Sequence, residues 1–172
     1  MASQPRERVT QLADLGGVPL HLALVEPEIP PNTGNVARLC AATGCALHLV
    51  EPLGFRIDDR ALKRAGLDYW ENVRLLVHPS LDAFMTATQA MPRWFFSTRG
   101  ERRYDAAAFT AGSVLVFGKE TKGLPGEVLA RFPERILRIP MLARGVRSIN
   151  LSTAVGIAAY AALERLGFPG LA

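Results

Sequence analysis

The chain has 172 residues, 49% of them hydrophobic and 21% charged, enough to bury one sizeable core with little left over for a second. Its 20 basic residues exceed 16 acidic ones, and since only Lys63, Lys119 and Lys122 are lysines the excess is mostly guanidinium, a group that suits bidentate phosphate contact as well as a solvated surface. Neither Cys40 nor Cys45 has a histidine at zinc spacing, so a disulfide scaffold and a local metal site are excluded, and each cysteine reads as a small buried residue.

Residues 1–18 mix charges of both signs, show no sustained period and end in Gly16-Gly17, which predicts a mobile arm ahead of one domain over 19–172. The arm has no apolar centre of the kind a secretion signal needs, and a cytoplasmic location is the expectation. Short apolar runs then alternate with helical patterns. The runs are HLALV at 21–25, ALHLV at 46–50, VRLLV at 73–77, RWFFS at 93–97, VLVF at 114–117 and ILRI at 136–139; helices are predicted at 33–43, 58–65, 80–90, 125–131 and 149–166. This alternation defines an α/β fold with a mostly parallel sheet and helices on both faces. Asn32 or Thr33 is placed to cap the first helix and Gly44 to end it. The last helix carries Leu151, Val155, Ala158, Ala159, Ala162 and Leu163 on one stripe, while Ile157, Tyr160 and Ala161 extend the apolar surface, so part of it is expected at a subunit interface. The uncharged stretch 148–163 is broken by Asn, Ser, Thr and Gly and is too short to span a membrane.

The GKET string at 118–121 follows a strand but is no phosphate-binding P-loop, because position 113 is Ser rather than Gly and Glu120 stands where a hydroxyl residue is required. No G-x-G-x-x-G follows a predicted strand, and no G-x-S-x-G elbow is present. Three other segments place polar residues just beyond strands, where ligands bind in open α/β sheets. In EPEIPPNTGNVARLCAATG at 26–44, Asn32, Asn35 and Arg38 recur every three residues; a capped, solvated helix start would explain Asn32, but Arg38 sits among apolar neighbours. In VLVFGKETKGLPGE at 114–127, Gly118, Gly123 and Gly126 permit close backbone approach to a ligand or simply form a turn around Glu120. In ILRIPMLARGVRSINLSTAVG at 136–156, Ser148, Asn150, Ser152 and Thr153 gather at the start of the apolar helix, placed either to grip a carboxylate or ribose or to cap.

These three segments, in this order, resemble the three motifs of the SPOUT-superfamily methyltransferases, over about Leu20 to Gly170. Within that superfamily VEPEIPPNTGN, RAGLDYW at 64–70, FGKETKGLP, RIPM and RSINLS look closest to the RNA ribose 2′-O-methyltransferases of the tRNA wobble nucleotide. The resemblance implies a C-terminal trefoil knot and a homodimer, with S-adenosyl-L-methionine as cofactor. It implies a cofactor pocket at Phe96, Gly118, Ile139, Met141, Ser148 and Leu151. Arg38 matches the family's essential arginine, and Asn32, Glu120, Ser148 and Asn150 match its other polar catalytic positions. The partner it implies is tRNA, held at the anticodon stem-loop by the catalytic domain itself; candidate contacts are Arg99, Arg102, Arg103, Lys119, Lys122, Arg144 and Arg147, or these form a solvated rim. LARGVRS at 142–148 departs from the family pattern in being one residue longer. Two rivals stand beside wobble methylation: the same chemistry on another tRNA position or on ribosomal RNA, and a non-catalytic RNA-binding module.

Overall fold

A computed structural model describes residues 11–57 and 72–172. In chain order its main elements are β1 (Leu20–Val25), α1 (Pro30–Thr43), β2 (Ala46–Val50), β3 (Arg74–His78), α2 (Leu81–Ala87), β4 (Arg93–Phe96), β5 (Arg102–Arg103), β6 (Ser113–Phe117), α3 (Gly126–Arg131), β7 (Ile136–Arg138) and α4 (Leu151–Arg165). The strands form one sheet in the order β3-β2-β1-β6-β4-β7-β5, and every pairing is parallel. All carboxyl ends therefore lie along one edge.

β1, β2 and β6 are buried along their whole length because both faces are covered. Side chains alternate across the sheet. Leu20, Leu22 and Leu24 pack with Val36, Ala37 and Cys40 of α1 and Val155, Ala158, Ala159 and Ala162 of α4. Ala23 and Val25 face the other way, against Phe84 of α2 and Val128 of α3. On this second side the protein's three histidines form a row: His21 Nδ1 lies 2.9 Å from His48 Nε2, and His48 Nδ1 lies 2.9 Å from His78 Nε2. All three are buried, and Phe84 packs edge-on against His48 and His78.

The predicted α/β class and the main strands match the structure to within a residue or two, and Cys40 and Cys45 are buried free thiols. Several details differ. α1 starts at Pro30, because two consecutive prolines with fixed φ suit the first helical positions, so its N-cap is Ile29 and neither Asn32 nor Thr33 caps it. Gly44 does end it, in a left-handed conformation at φ 71°. The helix expected over 80–90 is shorter, capped by the Ser80 hydroxyl, which accepts from the Ala83 N–H. The last helix begins at Leu151, capped by Asn150. Part of the predicted arm is packed rather than mobile, since Leu15 and Val18 are buried against Ala46 and Leu76. β5, two residues long, has no apolar pattern and was not expected. The predicted helix at 58–65 and the segment 64–70 lie outside the described residues.

Candidate functional site

Beyond the carboxyl ends of β4, β6 and β7 the loops 97–99, 118–124 and 139–151 enclose a cavity of about 520 Å³. Its wall is apolar at Phe96, Phe117, Leu137, Ile139, Met141 and Leu151, with Phe96 and Phe117 stacked at 4.6 Å between ring centroids. Its polar lining includes Glu120, Ser148 and Asn150, and Arg99, Lys122 and Arg147 also border it. All six positions expected to bind a cofactor, Phe96, Gly118, Ile139, Met141, Ser148 and Leu151, line this one cavity.

Gly118 is required there by the protein's own chain. A Cβ on it would stand 2.0 Å from the Gly123 carbonyl carbon and 2.1 Å from the Leu124 nitrogen, because the loop turns back on itself through a Gly123 N–H to Lys119 carbonyl bond of 2.8 Å. Gly123 makes that turn at φ +67°. Of the two readings of these glycines, ligand approach or a plain turn, the close neighbour of Gly118 is the backbone of the returning loop, while Gly118 also lines the cavity.

Two glutamates clasp the first and second polar loops together. Glu120 accepts from the Glu28 N–H at 2.8 Å, the Ile29 N–H at 3.1 Å and Asn32 Nδ2 at 3.1 Å. Glu28 in return accepts from the Thr121 N–H at 3.1 Å and from the Thr121 hydroxyl. Burial of Glu120 opposes its ionisation, but these donors, the Glu28 N–H foremost, outweigh it and hold its pKa below the usual carboxylate value. Glu120 thus serves as the cap that α1 lacks in its own sequence. The third loop joins through Asn150, whose Nδ2 donates to Asn32 Oδ1 at 2.9 Å. Asn32, Glu120 and Asn150, from three distant segments, are one hydrogen-bonded unit.

Arg38 stands elsewhere on the helix than Asn32. It lies on the exposed side of α1 and is absent from the cavity lining. Steps of three residues along a helix fall short of a full turn by about 60° each, so Asn32 faces inward while Asn35 and Arg38 rotate outward. Three of the basic candidates are occupied. Lys119 pairs with Glu26 at 2.7 Å, which raises its pKa, and Glu26 itself is held at a positive φ of 50°. Arg103 pairs with Asp105. The Arg102 guanidinium lies over the Trp94 ring at 5.3 Å and donates to the Ala106 carbonyl. Sequence reasoning missed Glu28, Thr121 and Glu26; the readable signal was the acidic EPE at 26–28 facing KET at 119–121 across adjacent parallel strands.

A parallel sheet with a mixed apolar and polar cavity at its strand ends is the architecture of an α/β enzyme that binds a nucleotide-like ligand. The chain belongs to the SpoU rRNA methylase family, whose pattern it matches over residues 19–160. It is 52% identical over 153 residues to the tRNA (cytidine(34)-2′-O)-methyltransferase of Burkholderia ambifaria, across 87% of this chain and 97% of the relative. Among solved structures, one described as concerning 2-OH methylation of C/U34 on tRNA superposes with a TM-score of 0.80 at 53% identity, covering 86% of this chain and 96% of that one. The AdoMet-bound rRNA methyltransferase from Sinorhizobium meliloti gives a TM-score of 0.76 at 26% identity, covering 86% and 56%. The superfamily assigned from the three motifs is therefore the right one.

Proposed function

We propose that this protein transfers a methyl group from S-adenosyl-L-methionine to the ribose 2′-hydroxyl of the tRNA wobble nucleotide, position 34, cytidine or modified uridine. The observation that carries this reading is the convergence of all six expected cofactor positions on one cavity beside the Asn32–Glu120–Asn150 unit. The cavity suits the cofactor: its volume lies within the usual range of about 300–1,000 Å³, its apolar strand ends fit a flat adenine, and the exposed Ser148 hydroxyl offers a polar contact. Bound there, the cofactor supplies an electrophilic methyl on a sulfonium, so that a C–O bond forms at the 2′-oxygen as the C–S bond breaks.

The protein's own residues align the reactants and ease loss of the hydroxyl proton; alignment can contribute about 7–11 kcal/mol in favourable cases. Glu120 is ionised with its oxygens committed to three N–H groups, so it holds the loops rather than shuttling a proton. A guanidinium offers donors and no acceptor, so the part of Arg38 is to orient an RNA phosphate and stabilise the developing alkoxide while the proton leaves to phosphate or water. Arg99, Lys122, Arg144 and Arg147 make no side-chain ion pair among the described residues, and Arg99, Lys122 and Arg147 border the cavity, which supports them as the phosphate-gripping subset.

The finer architecture follows the same reading. Residues 97–101 bridge β4 and β5 across β7, so tightly that a Cβ on Gly100 would meet the Leu137 carbonyl carbon at 3.0 Å, and a crossing of this kind supports a C-terminal trefoil knot. Exposed Ile157 and Tyr160 on α4 support a homodimer. No described helix is long and apolar enough to cross a membrane, and we place the enzyme in the cytoplasm with its tRNA. The same reading takes 19–172 as one methyltransferase domain, against which Leu15 and Val18 of the preceding segment pack. Incubation with labelled S-adenosyl-L-methionine and total RNA should put label on the wobble ribose. Label confined to ribosomal RNA or another tRNA position, or cofactor binding without transfer, would overturn the reading.

A further inference from the structure

The hydrogen-bonded unit that starts at Glu120 continues past Asn150. The Asn150 carbonyl accepts from the Thr153 N–H at 3.3 Å and from the Ser152 hydroxyl at 2.7 Å, and Ser152 Oγ accepts from Asn35 Nδ2 at 3.4 Å. The direction of every member is forced. A carboxylate only accepts, so Asn32 turns its NH₂ to Glu120 and its carbonyl to Asn150. A backbone N–H only donates, so Asn150 turns its carbonyl to Thr153 and its NH₂ to Asn32. Ser152 spends its single proton on the same carbonyl and has only lone pairs left for Asn35. The last amide therefore points its NH₂ inward and its carbonyl outward. Among the described residues no donor meets Asn35 Oδ1. Asn35 is exposed on α1, one helical turn before the exposed Arg38.

We infer that Asn35 Oδ1 is a substrate-positioning acceptor that takes the hydrogen bond of the ribose 2′-hydroxyl to be methylated. This rests on the methyltransferase reading. A carbonyl that accepts the O–H fixes the rotation of that hydroxyl and so aims an oxygen lone pair away from the protein amide, toward an incoming methyl. Donation from the Asn35 NH₂ along a chain ending in an anion makes its carbonyl a better acceptor, since hydrogen bonds in series polarise one another. The acceptor takes no proton, so the proton still departs to phosphate or water. It also reads the 2′-position, the group by which a protein tells ribose from deoxyribose.

The test uses two anticodon stem-loops that differ only in carrying a 2′-hydroxyl or a 2′-hydrogen at the target nucleotide, bound to the full-length protein with S-adenosyl-homocysteine, alongside methylation rates on the hydroxyl form. The wild type should bind the hydroxyl form roughly fivefold to tenfold more tightly, the value of one hydrogen bond. Asn35→Ala should lose that preference and most of kcat, with cofactor affinity and melting temperature nearly intact. Ser152→Ala breaks the same internal bond but leaves the Asn35 carbonyl in place, so it should keep the preference and lose much less rate. If Asn35→Ala retains the preference, or if the two variants lose rate equally, Asn35 is only a brace and the inference fails. If the wild type methylates a different RNA position, the substrate reading fails instead, and the same pair of variants tests Asn35 on that RNA.

Discussion

Acidification from pH 7 to pH 5 should remove about 4 kcal/mol from the stability of this protein through a row of histidines distant from the active site. Burial lowers the pKa of His21 to about 4; burial, and then the charges of His21 and His78, lower that of His48 to about 2; and burial lowers that of His78. The hydrogen bonds set a separate limit. Each of the two contacts joining the rings needs one nitrogen with a proton and one without, and one added proton preserves that arrangement whereas a second forces two N–H groups to face one another. The folded row accepts at most one proton, while the unfolded chain takes up three as pH falls through about 6.5. Folded pKa values below the unfolded one mean that the stabilisation is whole above about pH 6.5 and is lost as pH falls below it, with a slope of about 1.36 kcal/mol per pH unit for each proton taken up. Two protons between pH 7 and 5 integrate to about 4 kcal/mol, a large fraction of a typical total of about 5–15 kcal/mol. Denaturant titrations at half-unit pH steps measure this directly, in a window above the range where most carboxylates titrate. A loss under about 1.5 kcal/mol, or histidine NMR signals titrating near 6.5 in the folded protein, would refute the argument.

Arg38→Lys should keep cofactor affinity within about twofold while turnover falls by about 100-fold, the usual cost of removing a group aimed at developing charge; near-normal turnover would defeat the role given to the guanidinium. Glu120→Ala should destabilise the protein by about 1–3 kcal/mol, because the Glu28 and Ile29 N–H groups and the Asn32 amide all lose their acceptor. Glu120→Gln should recover part of that in thermal melts, and equal losses would mean the clasp is not what the carboxylate provides. Gly118→Ala should cost at least about 2 kcal/mol, since the new methyl meets backbone on the returning loop. Replacing Arg99, Lys122 or Arg147 by Gln should each lower the salt slope of tRNA binding by about 0.7, whereas Arg103→Gln should leave it unchanged because Asp105 already occupies that side chain.

The sheet was legible because its strands are buried on both faces, and LHLALV or SVLVF can be little else when bounded by helical patterns. Where an element depends on a single contact rather than on a run, the pattern is silent. β5 is two exposed arginines, visible as a strand only because β7 lies beside it. The start of α1 was misplaced for a related reason. Asn32 has the chemistry of a cap, but the helix begins two residues earlier at Pro30 and its cap is a glutamate some ninety positions away in sequence.

That displacement decides how the site is to be understood. Had Asn32 capped its own helix, its side chain would have been spent on a neighbouring N–H, and nothing would have tied the first loop to the third. Because Glu120 takes over the capping, the Asn32 amide is freed to bridge Glu120 and Asn150, and Asn150 can both cap α4 and order Ser152 and Asn35. Three of the motif residues, Asn32, Glu120 and Asn150, are thus joined in one hydrogen-bonded unit. Glu120 and Asn32 tie the loops together, and in the proposed function the cavity lined by Phe96, Gly118, Ile139, Met141, Ser148 and Leu151 is the cofactor site and the outward face of α1 with Asn35 and Arg38 is the RNA-facing side. A change at Glu120 should accordingly impair cofactor binding and RNA turnover together, while changes at Asn35 or Arg38 should impair turnover and leave cofactor binding intact.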